Sequence, residues 1–281
     1  MNWLTSPACV PVTHALGHLK TVPTGYSGWL LALLVSGMNL LLLAIAKFTY
    51  TWLVALSRSS IHTWIKQRQK IIMINQWINI EHALDYLRRA DNIPHRTEGE
   101  AVLLDHVPQT VKRILDLGTG NGRLLALLKV DRPQAQGVAL DFSPTMLAEV
   151  GARFAADATV TIVDHNLDLP LPDLGTFDAV VSSFAIHHCT HPRKQALYAE
   201  IFACLQPGGI FCNLEHVASP TPKLHAHFLE SIGYTPETED PSNKLLDVET
   251  QLHWLRQMGF IEVDCYWKWL EMALLIGLKP L

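Results

Sequence analysis

An apolar strand that carries a carboxylate and runs straight into three alternating glycines leaves a chain few folds to adopt. Residues 114–122 read ILDLGTGNG, with Asp116 inside the strand-like run and glycine at 118, 120 and 122. Glycine takes backbone angles that other residues resist, and its missing Cβ lets a ligand approach the main chain. Such a turn between a first strand and its helix is the ligand-binding turn of an open α/β sheet. The rest of the chain agrees. From Arg113 onward the apolar runs RILDLG, AQGVALD, TVTIVDHN, FDAVVSSF, GIFCNLEHV, FIEVDCYWKW and EMALLIGL appear in order. Helical stretches at 122–129, 144–156, 193–205 and 248–258 separate them. This alternation predicts βαβ units and a mostly parallel sheet covered on both faces.

The spacing of the glycines narrows the ligand. Dinucleotide binding asks for G-x-G-x-x-G, whose third glycine packs helix against strand. Here the pattern is G-x-G-x-G and Arg123 stands where that third glycine belongs. A pyrophosphate also has little use for the carboxylate of Asp116, whereas a ligand with an ammonium group does. A nicotinamide oxidoreductase is disfavoured on both counts.

Together these features resemble the class I S-adenosylmethionine-dependent methyltransferases, from about Gln76 to the C-terminus. LDLGTGNG is similar to the family's first motif, VALDFS to its second, FDAVVSSFAIHH to its fourth and LQPGGIF to the turn into its fifth strand. The resemblance implies an α/β, Rossmann-like fold. Its sheet would be seven-stranded and mostly parallel, with helices on both faces and a C-terminal antiparallel hairpin. It implies S-adenosylmethionine as cofactor, bound by Asp116, Gly118, Thr119, Gly120, Asp141, Phe142 and Ser183. Asp141 would take the ribose hydroxyls, since a carboxylate can accept both bonds, and Phe142 would lie beside the adenine. For the adenine amino group, counting back from PLP in VDHNLDLPLP gives Asn166, with Asp164 as the other candidate. Ser143 is expected as N-cap of the following helix, with Pro144 at its first position.

The expected activity is methyl transfer to an oxygen, nitrogen or carbon of a small-molecule or lipid acceptor. A tRNA-modifying enzyme, or a cofactor-binding protein without transfer chemistry, are the alternatives. His187 and His188 follow the fourth strand, and Glu215 and His216 end the fifth, so all four are candidate catalytic residues at one rim of the sheet. Contacts that merely shape that rim are an equal reading. The long segment from Ala218 to Leu246, with one short helix, is expected to roof the acceptor pocket together with a helix around Trp77. That helix carries Trp77, Ile80, Ala83, Leu84 and Leu87 on one stripe and stops at Pro94. Thr97 and Glu100 then read as a capping box. Trp267 and Trp269 are read as core rather than pocket wall.

The first 72 residues are different in texture. Between Lys20 and Lys47 there is no charge, and residues 29–46 are long enough as a helix to span a bilayer core of roughly 30 Å. Lys47, Arg58, Lys66, Arg68 and Lys70 follow on one flank, which would keep the remainder in the cytoplasm. A signal peptide, with AIA at 44–46 as its cleavage site, or an upstream extension before Met73 are the competing readings. The chain is accordingly divided into a hydrophobic N-terminal helical segment, 1–72, and a methyltransferase domain, 73–281. The formal charge of −4 gives no reason to expect nucleic acid as a partner. Five scattered cysteines without a Cys-x-x-Cys pair suit reduced thiols. The HHCTH run invites a metal reading, but no carboxylate at helical spacing completes it, and no metal is expected.

Overall fold

The structure, a computed structural model, describes residues 76–90 and 92–281. The apolar stretch at 29–46, its basic flank and Met73 lie outside the described residues. Among those described, no helix is long and apolar enough to cross a membrane.

A short 3-10 turn (Gln76–Ile78) and two helices, α1 (Ile80–Ala90) and α2 (Arg96–His106), precede the sheet. Then come β1 (Arg113–Leu117), α3 (Arg123–Asp131), β2 (Gln136–Asp141), α4 (Pro144–Arg153), β3 (Val160–Asp164) and β4 (Phe177–Ser183). A 3-10 turn (Ile186–His188) leads to α5 (His191–Cys204), β5 (Leu205–His216), α6 (Pro222–Ser231), α7 (Val248–Gln257), β6 (Ile261–Trp269) and β7 (Met272–Leu278).

The strand order is β3-β2-β1-β4-β5-β7-β6. All neighbours are parallel except β7, which runs antiparallel to both β5 and β6. Alternate residues of the central strands feed two cores. Leu115, Leu117, Val180 and Phe211 pack beneath Leu197 and Ile201 of α5 and Leu255 of α7. Ile114, Ala139, Val181 and Cys212 pack beneath Leu103 of α2 and Leu124, Leu125 and Leu128 of α3. Burial on both faces is why these strands read as continuous apolar runs. Trp267 packs into this second core and Trp269 stacks on His95 at 4.3 Å. From β1 the chain winds outward through β2 and β3, then restarts at β4 on the other side. Asp116 lies near the C-terminal end of β1, and Ser183 ends β4, beside that reversal, where open α/β sheets bind ligands.

Three local expectations are corrected. Ile80 and Leu84, read as part of the buried stripe, are 62% and 39% exposed, while Ala83 is fully buried. The Thr97–Glu100 capping box does not form: α2 begins at Arg96 behind His95, with φ of 59° and no side-chain cap. Two buried arginine contacts, described below, take Glu100 instead. Ser143 occupies the N-cap of α4, with Pro144 in the first turn, but its hydroxyl caps nothing and has no partner among the described residues.

Candidate active site

The glycine turn is built as its sequence requires. Gly118 and Gly120 have φ of 63° and 56°, the left-handed region that side chains resist. A Cβ at Gly118 would stand 2.2 Å from that of Ala185, whereas one at Gly120 would point into open space, with only Met146 Sδ at 4.0 Å. The first glycine permits close packing of two loops; the second leaves the main chain bare toward the cleft.

Asp116 sits beneath this turn, 1% exposed. Its Oδ2 accepts from Thr119 Oγ at 2.6 Å, and its buried Oδ1 has no hydrogen-bond partner. Burial pushes its pKa up to about 7, against the Thr119 bond. An orphaned carboxylate oxygen in a cleft is a receptor for a cation. Asp141, at the end of β2, accepts from the Gly120 amide at 2.9 Å and from the Phe142 and Ser143 amides at 2.8 and 2.9 Å. Burial raises its pKa while those amides pull it back. A carboxylate offers about four acceptor sites, so three amides leave capacity for a further donor.

Asp116, Gly118, Thr119, Gly120, Asp141, Phe142, Asn166 and Ser183 all line one cleft, and Ser183 Oγ is buried there without a described partner. Asp164 does not line it; it is exposed at the end of β3 beside Asp141. Its neighbours His165 and Asn166 do. Asn166 Oδ1 accepts from the Asp168 amide at 2.9 Å.

The cleft also holds a side chain that pattern reading missed. Arg96, 5% exposed, lines the cleft near Asp116. It donates from Nε to Glu100 at 2.9 Å and from Nη1 to the Tyr86 hydroxyl at 3.0 Å. Its Nη2 group is left without an acceptor among the described residues. Glu100, 2% exposed, also receives Arg123 at 2.9 Å on each oxygen. Arg123, the residue displacing the third glycine, thus ties the start of α3 to α2. No short motif announces this hub.

A second cavity of about 330 Å³ adjoins the first. Trp77, Tyr86, Phe184, Phe228, Tyr234 and Met272 form much of its wall, and His187, His188 and His216 enter it. Trp77, Tyr86, Phe184 and His188 line both spaces. Phe184 marks the junction with φ of 54°, strained for a non-glycine residue. The Trp77 turn and α1 line this cavity on one side, and α6 with the segment after it lines it on the other. That segment is stitched down. Lys244 donates from its amide to the His187 oxygen at 2.9 Å and from Nζ to the His188 oxygen at 2.7 Å. The buried Lys194 ammonium bonds the oxygens of His187 and Lys244.

The four candidate catalytic residues divide into different roles. His187, 6% exposed, meets Glu215 through Nδ1 at 2.8 Å. Burial drives its pKa well down, helped by His216 and Lys194, which favours the neutral imidazole. Glu215 lies behind it, 1% exposed rather than at the rim, also held by the His216 amide at 3.0 Å and Asn213 at 3.3 Å. Burial raises its pKa, opposed by Lys194. His188 is engaged at both nitrogens. Trp77 Nε1 donates to its Nε2 at 3.0 Å, and its Nδ1 meets Ser242 Oγ at 2.9 Å. It is therefore a clamp between roof and floor. His216 Nε2 meets the fully buried Glu271 at 3.0 Å; His225 of α6 bridges Glu271 and Glu239, each at 3.0 Å. His191, the third histidine of HHCTH, bonds the Leu245 oxygen elsewhere. Among the described residues no cluster of three His, Cys, Asp or Glu is arranged to hold a metal ion.

Comparison with known proteins agrees with this architecture. A family model described as a methyltransferase domain matches residues 114–209. A demethylmenaquinone methyltransferase of Thermus thermophilus is 41% identical over 113 residues, 39% of this chain and 49% of the relative. One of Clavibacter sepedonicus is 31% identical over 173 residues, 56% of this chain and 69% of the relative. The matched region thus spans about half to two thirds of these curated relatives. In fold the chain resembles an O-methyltransferase family protein from Burkholderia thailandensis, with a TM-score of 0.60 at 20% identity, covering 74% of this chain and 63% of that one. The glycine turn, the two acidic strand ends and the sheet order, joined to these similarities, place the chain in the class I family of S-adenosylmethionine-dependent methyltransferases.

Proposed function

We propose that this protein transfers a methyl group from S-adenosylmethionine to a small, largely apolar acceptor held in the second cavity. The carrying observation is the adjacency of two unlike spaces: a polar cleft built on the glycine turn and an aromatic cavity, meeting at Phe184 and His188. The cleft residues fit the cofactor. Asp116 Oδ1 is an unpartnered buried acceptor for its ammonium group, and Arg96 Nη2 is a donor for its carboxylate. Asp141 keeps acceptor capacity for the ribose, and the bare face at Gly120 admits the methionine chain.

The bound cofactor would supply an electrophilic methyl on a good leaving group. The protein's share is then alignment and exclusion of water, worth several kcal/mol of barrier (roughly 7–11 at best). His187 is the proposed proton acceptor. Glu215 holds Nδ1, burial favours the neutral ring, and Nε2 has no hydrogen-bond partner among the described residues. An acceptor O–H, N–H or acidic C–H that gives its proton to Nε2 leaves an imidazolium beside the Glu215 carboxylate, which steadies it. His188, bonded at both nitrogens, is assigned to closing the site, and Glu215 and His216 to positioning His187. The relatives named above are demethylmenaquinone methyltransferases by name, which supports a ring-bearing acceptor class. Asn166 is the proposed adenine contact.

Residues 73–281 are proposed as the catalytic domain, on the cytoplasmic side. Residues 29–46 are proposed as a membrane contact, on the strength of their uncharged sequence and basic flank. Calorimetric titration of the full chain with S-adenosylmethionine, and separately with NADH, tests the cofactor reading. Binding of the first alone is expected; binding of NADH alone overturns it.

A further inference from the structure

We propose that the outer face of α1 rests on an anionic bilayer surface, so that the cavity walled by α1 receives a membrane-dissolved acceptor. This rests on reading that cavity as the acceptor site. α1 has two opposed faces. His82, Tyr86 and Arg89, at helical spacing, line the cavity. At 3.6 residues per turn Ile80 and Leu84 fall on the opposite side. They are 62% and 39% exposed, and Ile78, just before the helix, is 44% exposed. Three large aliphatic side chains within seven residues remain in contact with water. The other exposed large apolar residues among those described are scattered singly along the chain. Single exposed apolar residues are ordinary, whereas a cluster marks a contact surface. Since a helix is about 10–12 Å across with its side chains, the wall between this patch and the cavity is one helix thick.

Charge identifies the partner. Residues 1–80 hold six Lys or Arg and no Asp or Glu, and all 26 acidic residues of the chain lie from Glu81 onward. The sign of the chain changes at the first turn of α1, beside the apolar patch. Five of those six basic residues fall at 47–70, directly after the uncharged stretch that begins at Thr21. An anionic bilayer surface satisfies both features at once: it takes aliphatic side chains at its headgroup boundary and attracts the basic run that precedes them in the sequence. The acceptor class follows from the same geometry. A cavity walled by aromatic and aliphatic groups, one helix from the bilayer, suits an amphiphile with an apolar body.

Hydrogen exchange of the full chain on phosphatidylcholine vesicles, with and without phosphatidylglycerol, tests this. Amides of residues 80–90 should exchange about tenfold more slowly on the anionic vesicles. The Ile80→Asp/Leu84→Asp variant should lose that protection while exchange in β1 and β2 is unchanged, which shows that it is folded. No slowing on anionic vesicles overturns the proposal, as does protection that survives in the variant. Titrating the same preparations with S-adenosylmethionine keeps the two readings apart. Cofactor binding without vesicle protection removes only the bilayer proposal; protection without cofactor binding removes the methyltransferase reading.

Discussion

Replacing Asp116 by asparagine should make the protein more stable at alkaline pH while disabling it. In the folded state burial raises the Asp116 pKa from 3.8 to about 7. A carboxyl with a raised folded pKa binds its proton more tightly folded than unfolded. Its contribution is therefore intact below pH 3.8 and is lost as pH rises toward 7. Three units at 1.36 kcal/mol each make the full loss about 4 kcal/mol, of which roughly 2–3 kcal/mol falls between pH 5 and pH 8. Asparagine does not titrate, and its NH2 group, standing in place of the unpartnered Oδ1, leaves both of its buried N–H donors unpaired at a pH-independent cost of about 1–3 kcal/mol each. Urea unfolding of both proteins at the two pH values isolates the titrating part. The stability of Asp116→Asn relative to the parent should improve by roughly 2–3 kcal/mol from pH 5 to pH 8. A difference that does not change with pH, or changes in the opposite sense, refutes the reasoning. The same carboxylate is the proposed ammonium receptor, so S-adenosylmethionine affinity should fall in the variant. In the parent it should weaken as pH drops below 7, where a proton must first leave Asp116.

Three further outcomes are expected. Asp141→Ala should weaken S-adenosylmethionine binding by about 1.5–3 kcal/mol in calorimetry, and unchanged affinity would remove Asp141 from the cofactor site. Asn166→Ala should harm that affinity more than Asp164→Ala, because Asn166 lines the cleft and Asp164 is exposed beside it; equal or reversed losses would move the adenine contact. A chain starting at Met73 should be monodisperse in size exclusion and bind S-adenosylmethionine, while the full chain stays with membranes through high-salt washing, as a spanning helix would and a basic cluster alone would not. Release by salt would leave only the basic run as the attachment.

What could be read from sequence was whatever a short stretch determines by itself. The glycine turn was legible because backbone angles at Gly118 and Gly120 are local demands. Asp141 was legible because it ends its strand at the point where the chain must turn. Where two distant segments decide, the pattern misled. Thr97 and Glu100 carry the capping-box spacing, yet Glu100 is drawn to Arg96 and Arg123, and the charged bonds from two guanidinium groups outweigh one terminal amide. The stripe on α1 was real as a period, but which face turns inward depends on the cavity it walls, so Ile80 and Leu84 point out. His187 and His188 follow β4 as expected, but what each can do hangs on partners far along the chain: Glu215 for His187, Trp77 and Ser242 for His188. No residue-type pattern around HHCTH distinguishes a base from a clamp.

The central claim is that the cofactor cleft and the aromatic cavity form one reaction site joined at Phe184 and His188. A crystal structure of the full chain with S-adenosylhomocysteine tests it most directly. The account predicts the amino group on Asp116 Oδ1, the ribose on Asp141, and the sulfur at the Phe184–His188 junction with its open side toward the second cavity. A cofactor whose sulfur faces away from that cavity, or whose adenosine fills it, would contradict the account.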